Sequence, residues 1–132
     1  MKNTKGWLIM FLISVSIFGL FSCGGSNGSA SYEQISQKEA KEIMDTVSDY
    51  IIIDARTEEE FAEGHIKGAI LIPEYEIAEK APSLIPQKDA LILVYCRSGR
   101  RSKIASEELV KLGYTNVKEF GGIIDWQYEI VK

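Results

Sequence analysis

The chain has 132 residues, of which 45% are apolar and 26% are charged. This composition excludes an intrinsically disordered chain and leaves room for one domain of ordinary size. Without Lys2 and Lys5 the chain carries 13 basic and 19 acidic residues, a net charge of −6. That balance argues against a nucleic-acid partner.

The first 22 residues have the pattern of a secretory signal peptide. Lys2 and Lys5 precede an apolar run over residues 7–21, which is shorter than the roughly 20 residues that span a membrane. The segment Leu20-Phe21-Ser22-Cys23 resembles the lipobox of bacterial lipoproteins, in which the cysteine is lipidated and becomes the first residue of the mature chain. We therefore expect a signal peptide over residues 1–22, a lipid on Cys23 and a domain held at a bacterial membrane outside the cytoplasm. The alternative is an uncleaved N-terminal anchor.

Residues 23–31 are rich in glycine and serine and predict a flexible tether. The folded domain is then expected over residues 32–132. Apolar and β-branched runs predict strands at residues 32–35, 50–54, 69–72, 90–95 and 117–120. Capping boxes at Ser36 and Thr57 predict helices that end near Thr46 and Gly64. Further helices are predicted over residues 74–81, before a turn from Pro82 to Pro86, over residues 99–112, and in a short terminal segment through Trp126.

The alternation of strands and helices predicts an α/β domain with a mainly parallel sheet and helices on both faces. In the helix over residues 99–112, the predicted buried face consists of Ile104, Ala105, Leu109 and Leu112. Ligands of such sheets bind beyond the carboxyl ends of the strands. Asp54 and Cys96 are both predicted at that edge.

Cysteine usage singles out Cys96. The chain has two cysteines, so lipidation of Cys23 would leave Cys96 as the only thiol and would exclude an internal disulfide. An unpaired cysteine outside the cytoplasm is a candidate reactive residue.

The residues around Cys96 favour its ionised form. The segment Cys96-Arg97-Ser98-Gly99-Arg100-Arg101-Ser102 follows the strongest predicted strand and opens a helix. Backbone N–H groups in such a turn, the positive end of the helix dipole and nearby arginines all stabilise a thiolate or another anion. A Cys–His pair would require His65, the only histidine, which is distant in sequence. Activation of Cys96 by the loop itself is the better interpretation, and a buried, inert thiol at a strand end is the alternative.

The same segment resembles the active-site loop of the rhodanese family of sulfurtransferases. Asp54-Ala55-Arg56, Gly64-His65-Ile66-Lys67-Gly68-Ala69 and Ile72-Pro73 resemble the first signature of that family. Gly113-Tyr114, Val117, Gly121-Gly122 and Trp126 resemble its closing segment. The resemblance covers about residues 32–128 and implies a central five-stranded, mainly parallel sheet.

The resemblance also implies roles for individual residues. Cys96 matches the cysteine that carries a sulfane sulfur as a persulfide. The loop residues match those whose N–H groups surround that sulfur and whose side chains bind an anionic donor; they are Arg97, Ser98, Gly99, Arg100 and Arg101. Asp54 and Arg56 match positions that support the loop, and His65 and Gly68 match the turn into the third strand.

Loop length favours sulfur transfer within this superfamily. Cys96 and Arg101 are separated by four residues, as in the sulfurtransferases, whereas the related phosphatases have a loop one residue longer. We expect a sulfurtransferase that accepts sulfur from thiosulfate, polysulfide or a similar donor and passes it to cyanide or a thiol. No metal or organic cofactor is implied, and a monomer is expected. The alternatives are a catalytically silent binding or redox-sensing module and a phosphatase or arsenate reductase.

Overall fold

The computed structural model of the chain describes residues 31–132, in which strands and helices alternate. The strands are β1 (Glu33–Gln34), β2 (Ile51–Asp54), β3 (His65–Ile66), β4 (Ile70–Leu71), β5 (Ile92–Cys96), β6 (Val117–Gly122) and β7 (Ile130–Val131). The helices are α1 (Gln37–Thr46), α2 (Glu58–Glu63), α3 (Ile77–Leu84) and α4 (Arg100–Lys111). Short 3₁₀ turns cover Glu74–Glu76 and Ile123–Asp125. The predicted signal peptide, and all but the last residue of the predicted tether, lie outside the described residues.

Five strands form a parallel sheet in the order β1-β6-β5-β2-β4, which confirms the predicted fold class. The apolar runs of β2 and β5 lie in its interior because both of their faces are buried. Ile53 and Val94 pack on the side of α3 and α4, whereas Ile52 and Leu93 pack on the side of α1. Within residues 31–132, no helix is both long and apolar enough to cross a membrane.

The ladder between β5 and β6 contains a bulge beside Cys96. Val94 pairs with Glu119, but Cys96 pairs with Gly122, so β6 carries one extra residue at this point. Gly121 takes up the bulge with φ +89°, a conformation that glycine adopts most readily. The bulge places the end of β6 directly beneath the loop that follows Cys96.

Two predictions, about the end of α3 and the buried face of α4, were wrong. Helix α3 continues through Pro82 to Leu84 where a turn was predicted. Ile77, Ala81 and Ile85 are fully buried on one stripe, and their burial outweighs the hydrogen bond that proline cannot donate. In α4, Ile104 is exposed, and the buried face consists of Ser102, Ala105, Ser106 and Leu109.

The two serines of α4 are buried because their hydroxyls are hydrogen-bonded. Ser106 Oγ donates to the carbonyl of Ser102 at 2.7 Å, and Ser102 Oγ donates to Glu119 at 2.6 Å. A hydroxyl with such a partner lies inside a core at little cost. The helix therefore presents polar atoms toward the end of β6.

A two-stranded antiparallel ribbon of β3 and β7 was not predicted. His65 pairs with Val131 and Ile66 with Ile130. The predicted terminal helix is only the 3₁₀ turn at Ile123–Asp125, and β6 is longer than predicted because it includes both glycines. The predicted capping box at Ser36 is complete.

Candidate functional site

Cys96 is the last residue of β5, and the loop after it folds back over the sulfur. Its side chain is 1% exposed. The N–H of Gly99 donates to Cys96 Sγ at 3.0 Å, and Gly99 closes the turn with φ +103°. A sulfur that accepts a backbone hydrogen bond inside such a turn occupies an anion-binding position.

The beginning of α4 adds to this anion-binding character. Gly99 is the residue before the helix, and no side chain among the described residues caps the N-terminus. The first N–H groups of a helix have no intrahelical acceptor, and they carry the positive end of the helix dipole. Helix α4 therefore directs free donors and a partial positive charge at the loop that encloses Cys96.

Only two of the three loop arginines are exposed cations. Arg97 and Arg100 are exposed. Arg101 makes a bidentate ion pair with Glu60 of α2, with Nη–Oε distances of 2.7 and 2.9 Å. Hydrogen bonds from Arg101 lower the pKa of Glu60 to about 2, so the pair stays charged at neutral pH. Arg101 thus connects the loop to α2. The side chain of Thr57 accepts from the N–H of Glu60, but the Glu60 carboxylate binds Arg101, so the capping box predicted at Thr57 is only half formed.

The strand β6 supports the loop from below. Gln37 of α1 donates through Nε2 to the carbonyl of Gly122 at 2.7 Å, and the N–H of Ile124 donates to the carbonyl of Arg97 at 3.2 Å. A Cβ atom at Gly122 would lie 2.0 Å from the carbonyl oxygen of Arg97. Only glycine permits this approach of the two backbones.

Asp54 and Arg56 form a buried ion pair at the neighbouring strand end. Asp54 is 0% and Arg56 is 5% exposed, and Arg56 Nη2 donates to Asp54 Oδ2 at 2.7 Å. The hydroxyl of Tyr95 also donates to Asp54 Oδ2, at 2.6 Å. Burial raises the pKa of Tyr95 and the charge of Asp54 raises it further, so this hydroxyl remains a donor. Burial lowers the pKa of Arg56, but its bonds to Asp54 outweigh that effect and raise it.

The same network holds the turn before β4. Arg56 Nη2 donates to the carbonyl of Gly64 at 2.7 Å, and the N–H of Ile66 donates to Tyr95 Oη at 3.1 Å. Asp54 and Arg56 thus contact Tyr95 and the turn at Gly64, and their predicted support of the cysteine loop stays a prediction. Gly68 is exposed with φ +85° in the turn that leads to β4.

His65 has contacts that fix its ring. Its Nδ1 lies 2.9 Å from the carbonyl oxygen of Phe61, and its ring stacks on the Phe61 ring with centroids 3.7 Å apart. Among the hydrogen bonds of residues 31–132, none joins His65 to Cys96. This arrangement gives no support to a Cys–His pair. Cys23 lies outside the described residues.

Sequence reasoning missed two residues beside Cys96. Cys96 Sγ donates to Ser102 Oγ at 3.3 Å, and Ser102 Oγ in turn donates to Glu119 Oε1 at 2.6 Å. Glu119 is 3% exposed. The signal was present in β6, because alternation places Glu119 on the same face as the buried Val117.

The cleft nearest the cysteine loop has a volume of about 360 Å³ and is lined in part by Ser98, Gly99, Glu119 and Gly122. A larger cavity of about 600 Å³ lies at the opposite edge of the sheet, with Tyr50, Ala90 and Asn116 in its wall. In α/β sheets the carboxyl ends of the strands bind ligands. The smaller cleft lies at that end of the sheet, beside the loop that follows Cys96.

Most of the described domain is similar to proteins of one family. Residues 36–129 match the family model of the rhodanese-like domain. The thiosulfate sulfurtransferase PspE of Escherichia coli is 41% identical over 73 residues, which cover 55% of this chain and 70% of PspE. A sulfurtransferase of Allochromatium vinosum is 39% identical over 92 residues, which cover 69% of this chain and 83% of that protein.

A solved structure supports the same relationship. A rhodanese with anions from E. coli has a TM-score of 0.60 and 38% identity to the chain, and the match covers 63% of this chain and 98% of that one. Some relatives are longer: the chain is 30% identical to the adenylyltransferase and sulfurtransferase UBA4 of Candida albicans and covers 24% of it.

Proposed function

The chain belongs to the family of rhodanese-like domains, whose relatives named above are sulfurtransferases, and we propose that it transfers a sulfane sulfur through a persulfide on Cys96. The observation that carries the proposal is the position of Cys96 Sγ inside a loop that donates a hydrogen bond to it from Gly99 at 3.0 Å. Thiosulfate is the first donor to consider because the relative from E. coli is named for it.

The first half-reaction loads the enzyme. The Cys96 thiolate attacks the outer sulfur of thiosulfate, a new S–S bond forms at Sγ, and the S–S bond of thiosulfate breaks with its electron pair on the departing sulfite. The persulfide carries the negative charge on its outer sulfur. The free N–H groups at the start of α4 stabilise that charge, and the exposed Arg97 and Arg100 attract the anionic donor.

The second half-reaction unloads the sulfur. A nucleophile such as cyanide or a thiolate attacks the outer sulfur, takes it, and leaves the Cys96 thiolate for the next cycle. Because the two substrates react one after the other with a covalent intermediate between them, ping-pong kinetics are expected. No redox partner is required, since the thiolate and the persulfide alternate without net oxidation.

Sulfur loading is tested directly by mass spectrometry of the intact chain and of its peptides. Incubation with thiosulfate, and separately with polysulfide, should add the mass of one sulfur atom to the peptide that contains Cys96. Addition of cyanide should remove that mass and release one equivalent of thiocyanate. A chain that gains no sulfur from any donor would be a binding module, and release of phosphate from an aryl phosphate would instead indicate phosphatase chemistry.

Gly122→Ala tests whether the support beneath the loop matters. The new Cβ would lie 2.0 Å from the carbonyl oxygen of Arg97, so the loop must move. Displacement of reacting groups by about 1 Å costs on the order of 100-fold in rate, and we expect a loss of about that size in thiocyanate formation. Gly113→Ala is the control for a glycine replacement away from the loop, because no atom lies within 4 Å of a new Cβ at Gly113. The φ of +97° at Gly113 strains an alanine there, whereas Gly122 has φ −131°, so backbone strain affects the control alone. Equal rates in the two variants would contradict this role of β6.

The N-terminal segment carries a further part of the proposal, namely that a lipid on Cys23 anchors the domain at a bacterial membrane outside the cytoplasm. Its support is the basic start, the apolar run over residues 7–21 and the resemblance of residues 20–23 to a lipobox. A lipid chain contributes membrane affinity in proportion to the number of its buried methylene groups. Cys23→Ser should therefore move the chain from the membrane fraction to the soluble fraction.

A further inference from the structure

A hydroxyl and a carboxylate form two successive contacts that begin at the sulfur of Cys96. Cys96 Sγ is 3.3 Å from Ser102 Oγ, which is 2.6 Å from Glu119 Oε1. The N–H of Gly121, at the β6 bulge, donates to the same Oε1 at 2.8 Å. Ser102 is 0% and Glu119 is 3% exposed, so these contacts are shielded from water. The sulfur-transfer scheme above assigns no role to Glu119.

Proton counting gives the chain of contacts a direction. A serine hydroxyl has one hydrogen to donate and two lone pairs to accept with. The 2.6 Å distance to Glu119 Oε1 is typical of a hydroxyl that donates to a carboxylate. The carbonyl of Gly99 is a second acceptor, at 3.1 Å from Ser102 Oγ, but the charged Glu119 is closer. With either acceptor the hydrogen of Ser102 is directed away from Cys96, and Ser102 presents a lone pair to the sulfur. A lone pair in that position accepts the S–H of a thiol and repels a thiolate.

We propose that Glu119 is a positioning residue that acts through Ser102 to keep the resting Cys96 in its thiol form. When the thiol ionises, its proton leaves to solvent and Ser102 turns its hydrogen from Glu119 to the sulfur. The carboxylate then keeps only the hydrogen bond from Gly121, and this loss opposes ionisation. The functional importance of this role rests on the proposed function, because the thiolate is the form that attacks a sulfur donor.

The consequence is a thiol that resists oxidation between reactions. The N–H of Gly99 and the start of α4 favour the thiolate, and the Ser102–Glu119 pair opposes them. Thiols react with oxidants mainly as thiolates. A site that ionises readily only when Ser102 turns therefore exposes its cysteine less often to oxidants than the loop alone would.

Several other charged groups surround Cys96 and Glu119, and none of them differs among the variants below. They are Arg97, Arg100, Arg101 and Lys103 in the loop and α4, Glu60 in α2, Asp54 at the end of β2, Arg56 after β2, and Asp125 in the last 3₁₀ turn. Lys103 and Asp125 line the same cleft as Glu119.

The test is a pH titration of the Cys96 thiolate by its ultraviolet absorbance in the full chain. The Cys96→Ser chain is subtracted as background, which removes any contribution of Cys23 and of the tyrosines. Glu119→Gln keeps the shape of the side chain but makes it a weak acceptor. We expect the pH midpoint of thiolate formation to fall by about one unit, a tenfold change in the thiol–thiolate equilibrium. Glu107→Gln, an exposed residue of α4, is the matched control and should not move the midpoint.

Two further variants separate a path through Ser102 from a simple electric field. Glu119→Asp keeps the charge but withdraws the carboxylate from Ser102, so the pH midpoint of thiolate formation should fall in this variant too. If Glu119→Gln does not fold, Glu119→Asp provides the test. In the Ser102→Ala background, Glu119→Gln should shift the midpoint by much less than it does in the native background. A midpoint that stays or rises in Glu119→Gln, or an equal shift in both backgrounds, would overturn the proposal.

The titration is independent of sulfur transfer. It requires no donor, so a chain that fails to load sulfur can still show the shift, and a chain that loads sulfur can still lack it. As a second readout, loss of the thiol in hydrogen peroxide at pH 6 should be about tenfold faster in Glu119→Gln, in proportion to the added thiolate. An unchanged rate of thiol loss would also contradict the proposal.

Discussion

Cys96→Ser is expected to abolish thiocyanate formation from thiosulfate and cyanide. Serine keeps the size of the side chain, and its hydroxyl can accept from the N–H of Gly99, which lies 3.0 Å from Sγ in the native chain. The loop should therefore keep its structure while the nucleophile is lost, since a hydroxyl is almost entirely protonated at neutral pH and does not form a persulfide. The rate should fall to that of the reaction without enzyme, and circular dichroism should show an unchanged fold.

Cys23→Ser is the matched control for this experiment. It replaces the other cysteine of the chain with the same residue, and it lies outside the predicted domain. We expect full thiocyanate formation from this variant. Activity that survived Cys96→Ser and disappeared with Cys23→Ser would show that Cys23 carries the sulfur. This result would refute the proposed mechanism.

Asp54→Ala is expected to lower the free energy of unfolding by about 3–5 kcal/mol, because removal of one partner leaves the other charge buried without compensation. Arg56 is 5% exposed and donates to both carboxylate oxygens of Asp54. Tyr95 would lose its 2.6 Å acceptor at the same time. A domain of this size has a total stability of about 5–15 kcal/mol, so the loss would bring the domain close to unfolding at room temperature.

Urea denaturation of both chains measures this effect. Asp49→Ala removes an exposed aspartate just before β2 and should change stability by less than about 0.5 kcal/mol. Tyr95→Phe removes both the donor to Asp54 and the acceptor of the Ile66 N–H, and it should cost about 2 kcal/mol. If Asp54→Ala cost no more than Asp49→Ala, the buried network would not contribute to the stability of the domain.

The sequence predicts those parts of the fold in which a local pattern determines the structure without contacts from distant residues. The apolar runs of β2 and β5 have no polar face, so they predict interior strands of a parallel sheet, and the structure confirms them. The capping box at Ser36 is a contact within four residues, and it forms as predicted. The two-residue strands β3 and β7 are too short for any periodicity, and their pairing joins residues far apart in the chain.

The same distinction explains the site. Cys96 and the cationic loop are contiguous, so a single stretch of sequence indicates that they could bind an anion. The role of each residue there stays a prediction. The partners of the loop are not contiguous: Glu60 precedes Arg101 by 41 residues, and Glu119 follows Ser102 by 17. Such pairings depend on how α2 and β6 pack against α4, which no local pattern of the sequence contains.

The bulge at Gly121 and the bare backbone of Gly122 make β6 the floor on which the cysteine loop rests. A longer loop, such as one wide enough for a tetrahedral phosphate, could not expand toward that floor, since the carbonyl of Arg97 already occupies the space of a side chain. The room beneath the loop is therefore limited by a strand that begins 21 residues after Cys96. A redesign that lengthens the loop alone would leave β6 in place, so we expect that a wider loop also requires changes at Gly121 and Gly122.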